Sequence, residues 1–205
     1  MIDFSRLSFN KAIKLTPDKK IEIKSKYRTV KVKDICEIGR GKVMDKHYME
    51  THQGDYPVYS SQTTNEGIMG KIDTFMFEGE YVTWTTDGIY AGTCFYRNGK
   101  FNCTNVCGIL KIKDTTRVIT KFLPLVLNNV TPNYVVKVAN PKLMNNVMAE
   151  ISIPLPPVSI QQKIIAECDK VDEEYNTSRM SIEDYRKKIA QVFEQLEVIT
   201  NVGGG

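Results

Sequence analysis

The sequence is poor in the residues that acid–base and metal chemistry draw on most. It holds two histidines, His47 and His52, and one tryptophan in 205 residues. No stretch approaches the roughly 18 consecutive apolar residues that a membrane span needs. The N-terminus, MIDFSRLSFNKAIK, is charged throughout and has no apolar centre, so it does not read as a secretory signal. No phosphate-binding glycine loop, Gly-x-Ser-x-Gly elbow or His-Glu-x-x-His pair occurs. An amino-methyltransferase would need an Asn/Asp-Pro-Pro-aromatic motif, and Asn140-Pro141-Lys142 has one proline and no aromatic. Pro17-Asp18, Glu22 and Lys24 imitate a metal-dependent nuclease motif. Too few residues separate the two carboxylates, however, to form the hairpin that would bring them together. These absences argue against an independent enzyme.

Cysteine is present but unpaired in pattern. The five residues Cys36, Cys94, Cys103, Cys107 and Cys168 are odd in number and irregularly spaced, as in a reduced, cytoplasmic protein. Cys103 and Cys107, with Cys94 upstream, lack the second tight pair of a zinc site and read better as small buried thiols in strands.

What remains is ordinary globular material: 41% hydrophobic and 25% charged residues, enough to bury a core in one or two domains. The net charge of +4 is unevenly spread. Residues 1–46 hold 13 Lys/Arg and 6 Asp/Glu, whereas residues 47–205 hold 15 and 18. A basic N-terminal third suits a polyanion such as nucleic acid, or else a solvated lysine-rich tail.

Along the chain, residues 1–27 read as a lead-in or linker with a short strand at 21–27. A helix is expected over Val32–Ile38, followed by a glycine turn at Gly39-Arg40-Gly41-Lys42. Short strands are expected at Asp55–Ser60, Gly67–Ile72, Tyr81–Thr85, Thr93–Arg97 and Gly108–Lys113. Asn98-Gly99 reads as a two-residue hairpin between CFYR and KFNC. Helices follow at Lys121–Asn128 and Pro141–Val147, then an extended ISIPLPP segment, with Ser159 as the N-cap of the last helix. In that helix a seam recurs every 3.5 residues: Ile164, Cys168, Val171, Tyr175, Ser178, Ile182, Tyr185, Ile189, Val192, Leu196 and Ile199. One unbroken helix over 158–199 would leave this stripe in need of a partner helix, unless it folds back on its own domain. The fold class is therefore α/β (α+β): a sheet-based domain over 28–157, a long coiled-coil helix over 158–199 and a tail at 200–205.

Polar loops supply candidate contacts. Ser60, Ser61, Gln62, Thr63, Thr64 and Asn65 carry groups able to read base edges, and Arg40 and Lys42 suit phosphate or guanine. Thr86, Asp87 and Tyr90 form a second loop, and Arg97, Lys100 and Asn102 flank Asn98-Gly99. Each also fits a plain solvated loop.

Three segments carry a family resemblance. VKVKDICEIGRGK (30–42) looks like the opening of a target recognition domain. YPVYSSQTTNEGIMGKIDTFMFEGEYVTWTTDGIYAGTCFYRNGKF (56–101) looks like its body. ISIPLPPVSIQQKII (151–165), the most specific, looks like its exit into a conserved helix, with Gln161 on the family's glutamine. Together they resemble the specificity subunit of type I restriction–modification systems, or the related specificity domain of fused restriction–methyltransferase enzymes. The resemblance implies a non-catalytic reader of double-stranded DNA that positions a DNA adenine methyltransferase subunit and a nuclease. S-adenosylmethionine and Mg²⁺ would belong to those partner subunits, and this chain would hold no cofactor or metal. The family usually has two recognition domains and two helices. One of each implies a half-subunit that homodimerises through the helix seam over a bipartite site, without contact with a membrane. The alternative is a protein-binding adaptor or inhibitor that sequesters a specificity subunit or methyltransferase.

Overall fold

In the computed structural model, residues 23–137, 139–178 and 180–201 are described; Pro17, Asp18 and Glu22 lie outside them. Two four-stranded sheets form the body. The first has the order β3 (Cys36–Arg40), β10 (Cys107–Ile112), β7 (Tyr81–Thr85), β8 (Cys94–Arg97), all antiparallel. The second runs β5 (Ile68–Ile72), β4 (Gln53–Tyr59), β9 (Lys100–Cys103), β6 (Phe77–Glu78), with β4 and β9 parallel.

The period-2 alternation of a strand explains how these sheets share their cores. In YVTWT, Val82 and Trp84 face one way and join Leu110, Ile112 and the helices, while Tyr81 faces the other and packs with Phe101, Cys103 and Cys107. With both faces covered, every residue of β7 is buried. Trp84 donates its indole N–H to the Leu143 carbonyl at 2.9 Å. Its register partner is Gly108, where a Cβ would stand 2.3 Å from the indole ring.

Asn98-Gly99 is not a hairpin tip. β6–β7 and β8–β9 form one antiparallel ribbon in a single register, Phe77 opposite Phe101 and Tyr81 opposite Arg97. Gly79 and Gly99 face each other midway and exchange N–H···O bonds of 3.0 and 3.2 Å. Their φ angles of +99° and +101° let the ribbon turn from one sheet into the other. The turn signal is real, but it marks a bend; the ribbon's true tip is residues 86–93. Gly39-Arg40-Gly41-Lys42 is likewise not a turn. Gly39 and Arg40 end β3, and the chain continues extended, Gly41 N–H bonding Cys107 O at 3.1 Å and Lys42 N–H bonding Cys103 O at 3.0 Å.

The helices are shorter or shifted relative to expectation. α1 is Val32–Ile35, stopping where Cys36 enters the sheet. It follows β2 (Thr29–Lys31), which pairs with β11 (Ser152–Pro154). α2 is Lys46–Thr51, capped by the Asp45 side chain on Tyr48 N–H at 2.7 Å. α3 is Phe122–Val130, with a buried apolar face on the first sheet. α4 is Asn145–Glu150, beginning after the Pro141 segment has run past the ribbon tip. β1 (Ile23–Lys24) pairs with β12 (Thr200–Asn201), so this part of the lead-in is tied to the chain's far end.

The single long helix over 158–199 is replaced by two: α5 (Val158–Thr177) and α6 (Ile182–Gln195). The break falls at the one polar position of the seam. Ser178 takes an extended conformation as the C-cap, and Ser181 restarts the chain as the N-cap, its Oγ accepting from Asp184 N–H at 3.1 Å. Pro157, not Ser159, precedes the first turn of α5. The two helices fold back on each other: the Tyr175 and Tyr185 rings stand 4.9 Å apart, Tyr185 donates to Asp172, and Lys188 pairs with Glu174. The seam is consequently satisfied inside the chain. Ile164, Cys168, Val171, Tyr185, Ile189, Val192 and Ile199 are buried in the core that α3 and the first sheet also line, with Tyr175, Ile182 and Leu196 half-buried beside them. The apolar core runs unbroken across position 157.

Candidate functional site

The first sheet brings several of the candidate residues to one end. Arg40 opposite Gly108, Cys107 opposite Thr85 and Trp84 opposite Cys94 place the close of β3, the start of β10, the close of β7 and the start of β8 together. Beyond them Lys42 bridges Thr104. Thr104 in turn bonds Tyr59 O through its N–H at 2.9 Å and Ser60 Oγ through its hydroxyl at 3.0 Å. Lys42, Thr104 and Ser60 therefore form a row across the joint between the two sheets, and the Lys42 side chain is exposed.

Beside this row lies a polar cluster. Arg40 Nη2 donates to Asn145 Oδ1 at 3.1 Å, and Asn145 Nδ2 donates to Gly39 O at 3.2 Å. Asp87 accepts from the Thr86 hydroxyl at 2.6 Å and pairs with Lys142 at 2.9 Å. Burial alone would push the Asp87 carboxyl upward. The Thr86 and Lys142 hydrogen bonds, with the charges of Lys142 and Arg40, outweigh it and hold the pKa below the ordinary carboxylate value. Asp87 is thus a neutralised anion within a cationic group.

The ribbon tip is tightly bonded. Thr85 donates its hydroxyl to Tyr90 O, Thr93 does the same at 2.8 Å, and Gly92 N–H bonds Thr85 O at 2.7 Å. Gly88 N–H bonds Pro141 O at 2.9 Å and Leu143 N–H bonds Thr86 O at 2.9 Å, so the tip is braced by residues 141–143.

The Ser60–Gly67 loop is differently built. Asn65, Glu66 and Gly67 have φ of +51°, +55° and +83°, a left-handed run that glycine tolerates and glutamate does not favour. The brace is Arg97. Its guanidinium is buried, lies 3.6 Å from the Tyr59 ring centroid and 4.5 Å from that of Phe95, and donates to Thr83 Oγ1 at 3.1 Å and Glu66 O at 2.6 Å. Burial lowers its pKa from the ordinary arginine value. Gln62 turns inward onto Ile68 O, Thr63 is buried, and Ser61 is half-buried; Thr64 and Asn65 are exposed.

Of the fourteen candidates, Arg40, Lys42, Ser60, Thr86 and Asp87 converge at the sheet end, with Tyr90 on the adjoining tip. Lys100 is exposed elsewhere, over the Phe75 ring at 4.5 Å. Asn102 is fully buried, donating to Thr74 O at 2.7 Å, so neither it nor Arg97 presents its side chain at the surface. Sequence reasoning missed Thr104, Lys142 and Asn145. Their roles depend on long-range pairings that leave no local signature. The Cys103 and Cys107 sulfurs lie 3.2 Å apart, both buried, and no cluster of three or more metal-ligating side chains occurs among the described residues.

The sequence profile of the family described as "Type I restriction modification DNA specificity domain" matches residues 24–183. The chain belongs to that family. It is 50% identical over 139 residues to the type I restriction enzyme MpnII specificity subunit of Mycoplasma pneumoniae, covering 67% of this chain and 42% of that one. The crystal structure of the type I restriction–modification S subunit from M. genitalium superposes with a TM-score of 0.61 at 16% identity, over 78% of this chain and 42% of that one. The HsdS subunit from Thermoanaerobacter tengcongensis gives a TM-score of 0.55 at 14% identity, over 92% and 49%. The chain spans about half the length of the Mycoplasma relatives it matches. Among the described residues no helix is long and apolar enough to cross a membrane.

Proposed function

We propose that the chain is a double-stranded DNA sequence-recognition module of a type I restriction–modification system, which places a DNA adenine methyltransferase subunit, and a nuclease with it, on a bipartite site. The observation that carries this is the specificity-domain match over residues 24–183. Arg40, Lys42 and Ser60 share one sheet end, in keeping with it. Lysine and arginine supply salt-dependent attraction to phosphate, and loop side chains supply base discrimination. The module has no catalysis of its own. S-adenosylmethionine and Mg²⁺ belong to the partner subunits, and flipping of the target adenine takes place in the methyltransferase.

The test is selection from a random duplex library by gel shift at low and moderate salt, with and without a cognate methyltransferase subunit. One sequence class is expected to be enriched. Absence of any shift with the methyltransferase present overturns the proposal and favours a protein-binding adaptor.

Pairing of two copies belongs to the DNA-bound assembly in this reading. The apolar seam is already buried within one chain, and the outer face of α5 carries Glu167, Lys170, Glu173 and Glu174. Surface charges of this kind contribute little to association. Sedimentation velocity at micromolar concentration is therefore expected to show a monomer without DNA. A stable dimer of the free chain would contradict this.

A further inference from the structure

The sheet end bears a feature that the candidate loops do not account for. The three most exposed large apolar side chains among the described residues are Val43 (78%), Ile89 (77%) and Val136 (51%). All three belong to this end. Val43 follows Lys42; Ile89 sits on the ribbon tip; Val136 pairs with Lys142 through bonds of 2.8 and 3.1 Å, and Lys142 holds Asp87 beside the tip. Tyr134, 38% exposed, lies just before. Soluble proteins rarely gather bulky apolar groups on one exposed patch without a ligand to cover them.

Charge identifies the ligand. The sheet end itself carries Arg40, Lys42, Lys137 and Lys142, and the acid among them, Asp87, is paired with Lys142. Residues 47–80 are the reverse, one lysine against six acids, all six exposed. Residues 150–199 are also acidic, with ten Asp/Glu to six Lys/Arg. The acidic region includes the Ser60–Gly67 loop, which carries exposed Glu66 and turns Gln62 inward. A phosphate backbone is repelled from that side and drawn to the sheet end. Basic side chains interleaved with exposed aliphatic and aromatic ones match a duplex, whose phosphates take the cations and whose thymine methyls and sugars take the apolar groups.

We infer that duplex DNA is bound at the sheet end by Lys42, the ribbon tip and the residues Tyr134, Val136, Lys137 and Lys142. Lys137 and Lys142 contact phosphate there, and Ile89, Tyr134 and Val136 enter or line a groove. This rests on the DNA-recognition reading and assigns that reading to one face of the molecule. The Ser60–Gly67 loop then lies at the edge of the footprint, joined to it through Ser60, Thr104 and Lys42.

The experiment is fluorescence anisotropy with a labelled random-sequence duplex over a series of salt concentrations, using the full chain. Lys42→Ala and Lys137→Ala are each expected to reduce the slope of log K against log salt by about 0.9, the value of one lost phosphate contact. Ile89→Asp is expected to weaken binding about tenfold or more with the melting temperature little changed, since the side chain is 77% exposed. Lys71→Ala and Asn65→Ala are expected to bind within about twofold of the parent. If the Lys42, Lys137 and Ile89 variants bind like the parent while Lys71→Ala or Asn65→Ala does not, the assignment is overturned and DNA recognition stands. If the parent binds no duplex, both fail. If Ile89→Asp loses only a methyltransferase subunit, the patch is a protein-docking surface and the assignment is again wrong.

Discussion

Replacing Gln161 by leucine is expected to destabilise the chain by about 3–5 kcal/mol, while the same change at the adjacent Gln162 stays within about 0.5 kcal/mol. Gln161 is 0% exposed and makes three hydrogen bonds. Its Oε1 accepts from Ile119 N–H at 2.8 Å, and its Nε2 donates to Arg117 O at 2.8 Å and Pro156 O at 2.9 Å. One amide thereby satisfies the turn that enters α3 and the proline segment that enters α5. Leucine fills a similar volume but leaves one donor and two acceptors, the Pro156 carbonyl buried and the other two part-buried, without these partners, at a cost of up to about 1–3 kcal/mol each. Gln162 is exposed and offers no such role. Urea unfolding of the two variants decides the matter: a fall in midpoint with an unchanged slope for Gln161→Leu is a loss of native stability. Equal midpoints for both variants would show that the three bonds contribute nothing net.

Gly41→Ala is the second substitution with a large expected effect, about 3 kcal/mol or more, read as a lost or strongly lowered thermal transition. A Cβ at Gly41 would lie 2.0 Å from Cys103 O, 2.2 Å from Cys103 C and 2.4 Å from Thr104 O. All three are backbone atoms of the joint between the sheets, so no rotamer change relieves the clash. Gly39→Ala makes the contrast. Its Cβ would meet only the tip of the Ile109 side chain at 3.0 Å, which can move, and about 1 kcal/mol is expected. A Gly41→Ala protein as stable as Gly39→Ala would show that the chain does not pass this close to Cys103.

Local chemistry made some of this fold legible. YVTWT was recognisable as a strand because β-branched and aromatic residues fill both its faces, and its bounds hold to the residue. Prolines 154, 156 and 157 marked the entry to the C-terminal helices, and Gln161 stood out within them. Other signals were right in kind and wrong in use. Gly99 does need a positive φ, but for a bend inside a ribbon, which a local window cannot distinguish from a tip. The 3.5-residue seam is apolar as read, yet periodicity does not say whose surface covers it. Ser178, its lone polar member, carried the information that the helix stops, and the cover came from α3 on α5 and from the two C-terminal helices on each other. In the candidate site, Arg97 and Asn102 look like surface contacts in sequence because their types are polar. The fold turns both inward, Arg97 beneath Tyr59 and Asn102 beneath Thr74. Lys142 and Thr104 were invisible for the opposite reason, since only distant strand pairings bring them beside Asp87 and Ser60.

The bend at Gly79 and Gly99 has an evolutionary corollary. One ribbon supplies strands to both sheets, so residues 36–112, which hold every strand of the two, behave as an indivisible cassette. A genetic crossover inside it would hand each sheet strands from two parents whose side chains never met. Exchange of whole cassettes, with breakpoints before Cys36 and after Ile112, would leave every strand pairing of the two four-stranded sheets intact. Functional chimaeras of two such readers should therefore be recovered from junctions outside that interval and fail from junctions within it.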